Sequence, residues 1–252
     1  MIDTHSHIYL PDFNEDKKEV LDRAEKVGVR SILMPAIDFD SEKQMALMQH
    51  ESIQFYKMSG LHPCDVGVIP DHFEEKLHEL CAKDDIIGVG ETGLDYYWSK
   101  NHISEQKLSL CAHFNVAKAL QKPIVLHNRE STDDLLAMME EAQDGTLTGV
   151  WHCFNGTIEE GKRAIDLGFY LGIGGVVTFK NGGVDKTVAH LPLSKMVLET
   201  DAPYLSPTPM RGKRNEPSFM KFTAEKLAEI FELNVHEVDE ITTRNAKDLF
   251  KI

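Results

Sequence analysis

Eight short apolar runs recur along the 252-residue chain, most of them followed by a longer stretch with helical spacing. This alternation limits the fold more than any other feature. The runs are MIDTH, VRSILMPA, IQFYKMSGLH, IIGVGE, PIVLH, GVWH, FYLGI and KMVLETD. Between them, DHFEEKLHELC puts Phe73, Leu77, Leu80 and Cys81 on one helical face, with Asp71 as the expected N-cap. FTAEKLAEIF does the same with Ala224, Leu227, Ala228 and Phe231, and further helices are expected from about Ser104 to Leu120 and from Ser131 through Met139. Strands that alternate with helices pair in parallel, because a parallel crossover needs the length that a helix supplies. Eight such units predict a TIM-type (β/α)8 barrel, one α/β domain over residues 1–252. An open doubly wound sheet is the competing arrangement. The stretch from Pro203 to Pro217, rich in proline and basic residues, reads as a long loop and not as a domain boundary.

Composition narrows the function. Hydrophobic residues at 42% support a sizeable core, and no apolar run is long enough to span a membrane. The first apolar run starts at the first residues, so a cytoplasmic location is expected. Cys64, Cys81, Cys111 and Cys153 are scattered without a C-x-x-C pair, which argues against a disulfide framework or a cysteine zinc site. The net charge of −14 does not suit a protein that coats long stretches of duplex. A phosphodiester substrate would have to be drawn in by a local source of positive charge, such as bound metal. A monomer is the default expectation.

The strand ends carry the chemistry. His5 and His7 are two apart, so in a strand their imidazoles project from the same face. IIGVGE ends in Glu91, PIVLH in His127, GVWH in His152, and KMVLETD in Asp201. In a parallel barrel all strands open at one mouth, so these six residues converge there. Each alone has an ordinary structural explanation, as a core histidine, a helix cap or an ion-pair partner; together they suggest a metal centre. Six ligands exceed the needs of one tetrahedral ion and suit two divalent cations roughly 3.5–4 Å apart. Glu91 would bridge, with His5, His7 and Asp201 completing one site and His127 and His152 the other.

The motifs DTHSH, GLHP, GETGLDYY, LHNRES, HCFNG, LETDAPYL and RGKRNEP, spread from residue 3 to about 217, resemble successive signatures of TatD-type metal-dependent deoxyribonucleases, a branch of the amidohydrolase superfamily. The resemblance implies an α/β barrel, the ligand set His5, His7, Glu91, His127, His152 and Asp201, and a glutamate bridge in place of a carbamylated lysine. It also implies Mg²⁺, Mn²⁺ or Zn²⁺ as the cofactor. The expected activity is cleavage of phosphodiester bonds at DNA ends, 3′–5′ exonuclease-like, by a metal-activated water. Asp201 would act as general base and Glu91 as the catalytic bridge. His62, Arg129, Tyr204 and Arg214 are the candidate substrate contacts; Asp95 and Tyr204 also fit a loop-shaping role, and Asn215 and Glu216 one of holding their loop. Tyr96, Tyr97 and Trp98 fit either base stacking or loop anchoring. The partners implied are DNA ends or another phosphate-containing substrate. The alternative is two-metal hydrolysis of a carboxylic ester or amide, for example in an acyl-nucleic acid or a small molecule.

Overall fold

The computed structural model describes residues 1–252 and contains a single eight-stranded parallel sheet in sequential order. The strands are β1 (Ile2–Asp3), β2 (Ser31–Met34), β3 (Gln54–Ser59), β4 (Ile86–Asp95), β5 (Ile124–Arg129), β6 (Gly149–Trp151), β7 (Phe169–Ile173) and β8 (Met196–Leu198). The helices between and after them are α1 (Lys17–Lys26), α2 (Ser41–Met45), α3 (Phe73–Cys81), α4 (Ile103–Leu120), α5 (Thr132–Ala142), α6 (Ile158–Asp166), α7 (Val184–Val188), α8 (Met220–Phe231) and α9 (Val235–Phe250).

Closure decides between the two predicted arrangements. The Thr4 N–H donates to Leu198 O at 3.0 Å, the Asp201 N–H to His5 O at 2.9 Å, and the His7 N–H to Ala202 O at 2.8 Å. These bonds join the first strand to the last, so the sheet is a barrel and the open sheet is excluded. No helix is long and apolar enough to cross a membrane, and the four cysteines are free.

All eight expected strands form, and the helices differ from expectation mainly at their ends. Asp71 is not the N-cap of α3; His72 occupies that position in a left-handed conformation without a side-chain cap bond, and the helix begins at Phe73. Leu80 and Phe231 are only partly buried, because each lies at the edge of its helix's apolar stripe, while Phe73, Leu77, Cys81, Ala224 and Leu227 are in the core.

The floor of the barrel is apolar. Ile2, Leu33, Met58, Val125, Val150 and Val197 form one cluster with Ala246, Leu249 and Phe250 of α9, which plugs that end. The larger cluster packs helices against the outer face of the sheet and includes the fully buried Trp151, set edge-on to Phe154 with ring centroids 5.1 Å apart. Gly93 of β4 lies in register with His127 of β5. Gly93 has φ +140°, and a Cβ there would run into the His127 carbonyl. Gly93→Ala should therefore destabilise the fold by at least about 2 kcal/mol in urea unfolding; an unchanged midpoint would mean that β4 and β5 can separate without cost.

Candidate metal centre

Period-two alternation carries the apolar floor into a polar layer above it. Val125 and His127 are two apart on β5, Val150 and His152 on β6 and its end, and Val197, Glu199 and Asp201 along β8 and the residues after it. The same inward-facing rows therefore supply methyl groups below and ligand-type atoms above. His5 and His7 follow β1 across the closing seam, and Asp201 sits there with φ +57°, a conformation that aspartate tolerates better than most residues.

Glu91, on β4, is the hub and is 2% exposed. Its Oε2 lies 3.1 Å from His5 Nε2 and 3.4 Å from His7 Nε2. Its Oε1 lies 2.9 Å from His152 Nε2, 3.1 Å from His127 Nδ1 and 3.6 Å from His62 Nε2. Asp201 Oδ1 is 3.7 Å from His5 Nε2 and 3.6 Å from His7 Nε2. All six expected residues are thus brought together, and the two oxygens of Glu91 face different histidines.

The donor set suits divalent cations. Three sets of ligand atoms each lie within 4.8 Å of one another: His5, His7 and Glu91; His5, His152 and Asp201; and His62, Glu91 and His127. The Nε2 atoms of His5 and His7 approach to 3.2 Å, and His5 Nδ1 is buried without a hydrogen-bond partner. Burial holds the His5 imidazole well below its ordinary pKa, and its ring stacks on His152 at 3.9 Å, so His5 is neutral and ready to ligate. Burial opposes charge on Glu91, but His152 and the hydrogen bond with His127 keep it ionised well below the usual carboxylate range. His152 and His127 are disfavoured as cations by burial, yet Glu91 and the Asp95 and Glu199 carboxylates raise both. Positive charge is thus favoured where these two rings meet Glu91.

The whole chain has the sequence pattern of one family. Residues 2–251 match the family described as TatD related DNase. The chain belongs to this TatD family. It is 36% identical over 253 residues to YabD of Bacillus subtilis, an uncharacterized metal-dependent hydrolase, covering 100% of this chain and 99% of YabD. It is 33% identical over 257 residues to YcfH of Escherichia coli, likewise an uncharacterized metal-dependent hydrolase, covering 100% of this chain and 96% of YcfH. The crystal structure of the TatD homologue YjjV of Escherichia coli superposes with a TM-score of 0.91 at 28% identity, over 100% of this chain and 98% of YjjV. This TatD-family chain is accordingly a metal-dependent hydrolase with the fold of its solved relatives.

Three polar groups stand behind the imidazoles, Tyr9 and Asp95 within hydrogen-bond distance and Glu199 farther off. The Tyr9 hydroxyl sits 3.1 Å from His7 Nδ1 and donates to Pro35 O at 2.7 Å, so it accepts from His7. Asp95 Oδ2 is 3.0 Å from His127 Nε2. Glu199 Oε1 accepts from the Cys153 N–H and lies 3.6 Å from His152 Nδ1, an ion-pair distance. A Cβ at Gly172 would occupy the place of the Glu199 carboxylate. Parity offered a signal for two of the three: Tyr9 is two residues past His7, and Glu199 two before Asp201. Asp95 needed the β4–β5 register, in which it pairs with Arg129 and Gly93 with His127.

The expected substrate contacts divide. His62 reaches the centre, with Nε2 3.4 Å from His127 Nδ1. Tyr204 is half exposed at the mouth, its ring 6.3 Å from that of His7. Arg129 is exposed at the end of β5 and lies over the Tyr97 ring. Arg214 is not brought to the centre: its guanidinium pairs with Asp16 at 2.6 Å, donates to Asp12 O and covers the Phe13 ring, which ties the loop to the start of α1. Asn215 and Glu216 hold the same loop as expected. Asn215 Nδ2 donates to Thr200 O and Tyr204 O, and Glu216 takes a two-pronged contact from Arg23 at 2.8 and 2.7 Å.

His62 is itself placed by a residue with no sequence signal. His113, fully buried on α4, donates from Nδ1 to Ser109 O at 2.6 Å and accepts the Leu61 N–H on Nε2 at 3.1 Å. Burial lowers its pKa from 6.5 to about 4. The unfolded chain therefore binds a proton that the folded chain refuses, so stability is lost as the pH falls from about 6.5 to about 4, by up to about 3 kcal/mol. Urea unfolding across this window should show that loss in the parent and a shallower one in His113→Gln; parallel curves would remove His113 as the source.

Proposed function

We propose that this TatD-family hydrolase cleaves phosphodiester bonds at DNA ends in a 3′–5′ exonuclease-like manner, using two divalent cations, Mg²⁺, Mn²⁺ or Zn²⁺. The single observation that carries the two-ion reading is that Glu91 turns one oxygen to His5 and His7 and the other to His127 and His152. His5, His7 and Asp201 would hold one ion, His127 and His152 the other, and Glu91 both. When bound, the ions supply an activated water and stabilise charge on the phosphoryl oxygens.

The chain's own groups do the rest. Asp201 would hold an ion through one carboxylate oxygen and leave the other to accept a proton. Asp201 is the general base in this scheme. His62, held neutral by burial with a pKa of about 3, hydrogen-bonds the substrate through Nε2. Tyr204 lines the entrance, and Arg129 forks onto a phosphate outside the metal ligands. Tyr9, Asp95 and Glu199 keep the imidazoles aimed. A net charge of −14 confines attraction to this mouth, which favours a strand end over a long duplex footprint.

Asp201→Asn should retain the fold and most bound metal while kcat falls about 10²–10⁴-fold; turnover equal to the parent at equal metal content would remove Asp201 as the base. Glu199→Gln should weaken metal binding about 10–100-fold in a calorimetric titration, since His152 loses its carboxylate partner. Metal-free protein given end-labelled single-stranded DNA should regain stepwise cleavage when Mg²⁺, Mn²⁺ or Zn²⁺ is added separately. Absence of product with every ion, alongside turnover of esters, lactones or amides, would move the assignment to acyl hydrolysis.

A further inference from the structure

We propose that Tyr97, Trp98 and Arg129 form a ledge that stacks a nucleobase of an unpaired strand beside the metal centre, so that the preference for base-bearing ends is set there. The inference deepens the phosphodiester reading and rests on it for the identity of the ligand.

The ledge begins with two aromatic rings kept in solvent. Trp98 is 68% exposed and Tyr97 43%, whereas the other tryptophan, Trp151, is fully buried. Their exposure does not come from a slack loop. The N–H groups of Tyr97 and Trp98 donate to Asp95 Oδ1 at 2.9 and 2.7 Å. The buried Gln106 of α4 accepts the Asp95 N–H at 2.8 Å and donates to Asp95 O at 3.1 Å and Ser99 O at 2.8 Å. Tyr96 does the anchoring, with its hydroxyl on Asp134 at 2.6 Å. The rings are therefore held out on a pinned segment, which lowers the entropy lost when a ligand stacks on them.

Arg129 adds charge to the ledge. Its guanidinium carbon lies 4.1 Å from the Tyr97 ring centroid and 5.3 Å from that of Trp98. The two rings are near perpendicular at 89° and so do not shield one another as a parallel pair would. An aromatic face next to a cation with free N–H donors matches a base and its neighbouring phosphate. The connection to the centre is short: the Asp95 carboxylate that receives the Tyr97 and Trp98 N–H groups also receives His127 Nε2. Arg129 is two residues from His127 on β5 and pairs in register with Asp95.

Trp98 reports on its own occupancy, because the only other indole is buried. The metal-loaded protein is titrated with a phosphorothioate-linked oligothymidylate, which resists hydrolysis, and with an abasic chain of the same length and charge. The oligothymidylate should quench the exposed indole and bind more tightly than the abasic chain. Trp98→Ala should weaken oligothymidylate binding about tenfold or more, and Trp98→Phe should restore most of it. Equal binding of the two chains, or unchanged oligothymidylate binding by Trp98→Ala, would overturn the ledge. Base-dependent quenching without hydrolysis of any phosphodiester leaves the ledge standing and removes the cleavage reading; cleavage with base-independent binding does the reverse.

Discussion

One buried carboxylate organises the mouth of the barrel. Glu91 is almost without solvent, yet ring nitrogens of five histidines approach its two oxygens within 3.6 Å. Removing an ion from water costs several kcal/mol unless charge and hydrogen bonds compensate. Part of that compensation comes from the His152 and His127 rings, whose positive form is favoured by Glu91 together with Glu199 behind His152 and Asp95 behind His127. Divalent cations would complete it, and His5 Nε2 and His7 Nε2, 3.2 Å apart, face the same place.

The arrangement depends on the seam between the first and last strands. The bonds from Thr4 to Leu198, from Asp201 to His5 and from His7 to Ala202 close the barrel and set His5, His7 and Asp201 in register. Asp3 strengthens the seam from within, accepting the Thr200 N–H at 3.0 Å and its hydroxyl at 2.6 Å, and burial raises its pKa to about 8. Closure and ligand placement are thus one event: a barrel that failed to close would also separate the two histidines from the aspartate.

The surroundings of the centre are graded by purpose. Apolar residues and α9 seal the floor, carboxylates and the Tyr9 hydroxyl stand behind the imidazoles, and only the rim offers exposed side chains. Among the rim cations, Arg214 is engaged by Asp16 and serves the loop, whereas Arg129 rests on aromatic rings and pairs with no carboxylate. That difference is what makes one arginine structural and the other a substrate contact in the proposed mechanism.

Local order carried a large part of this protein in the sequence. Eight apolar runs with helices between them are enough for a parallel α/β sheet, since periodicity and short connections leave few topologies. The terminal residues of those runs named Glu91, His127, His152 and Asp201, because strand direction in a parallel barrel sends every C-terminal end to one mouth. Tertiary structure alone decided the remainder. Whether the sheet closed depended on the β1–β8 seam, two segments nearly 200 residues apart. Asp71 yielded its cap to His72 through the backbone turn that enters α3. The tasks of Asp95, Gln106 and His113 follow from packing between β4, β5 and α4, and the loss of Arg214 to Asp16 from a contact between distant loops. Periodicity records which way a side chain faces within its own element; which partner meets it is set by register and packing between elements, and those appear only once the chain has folded.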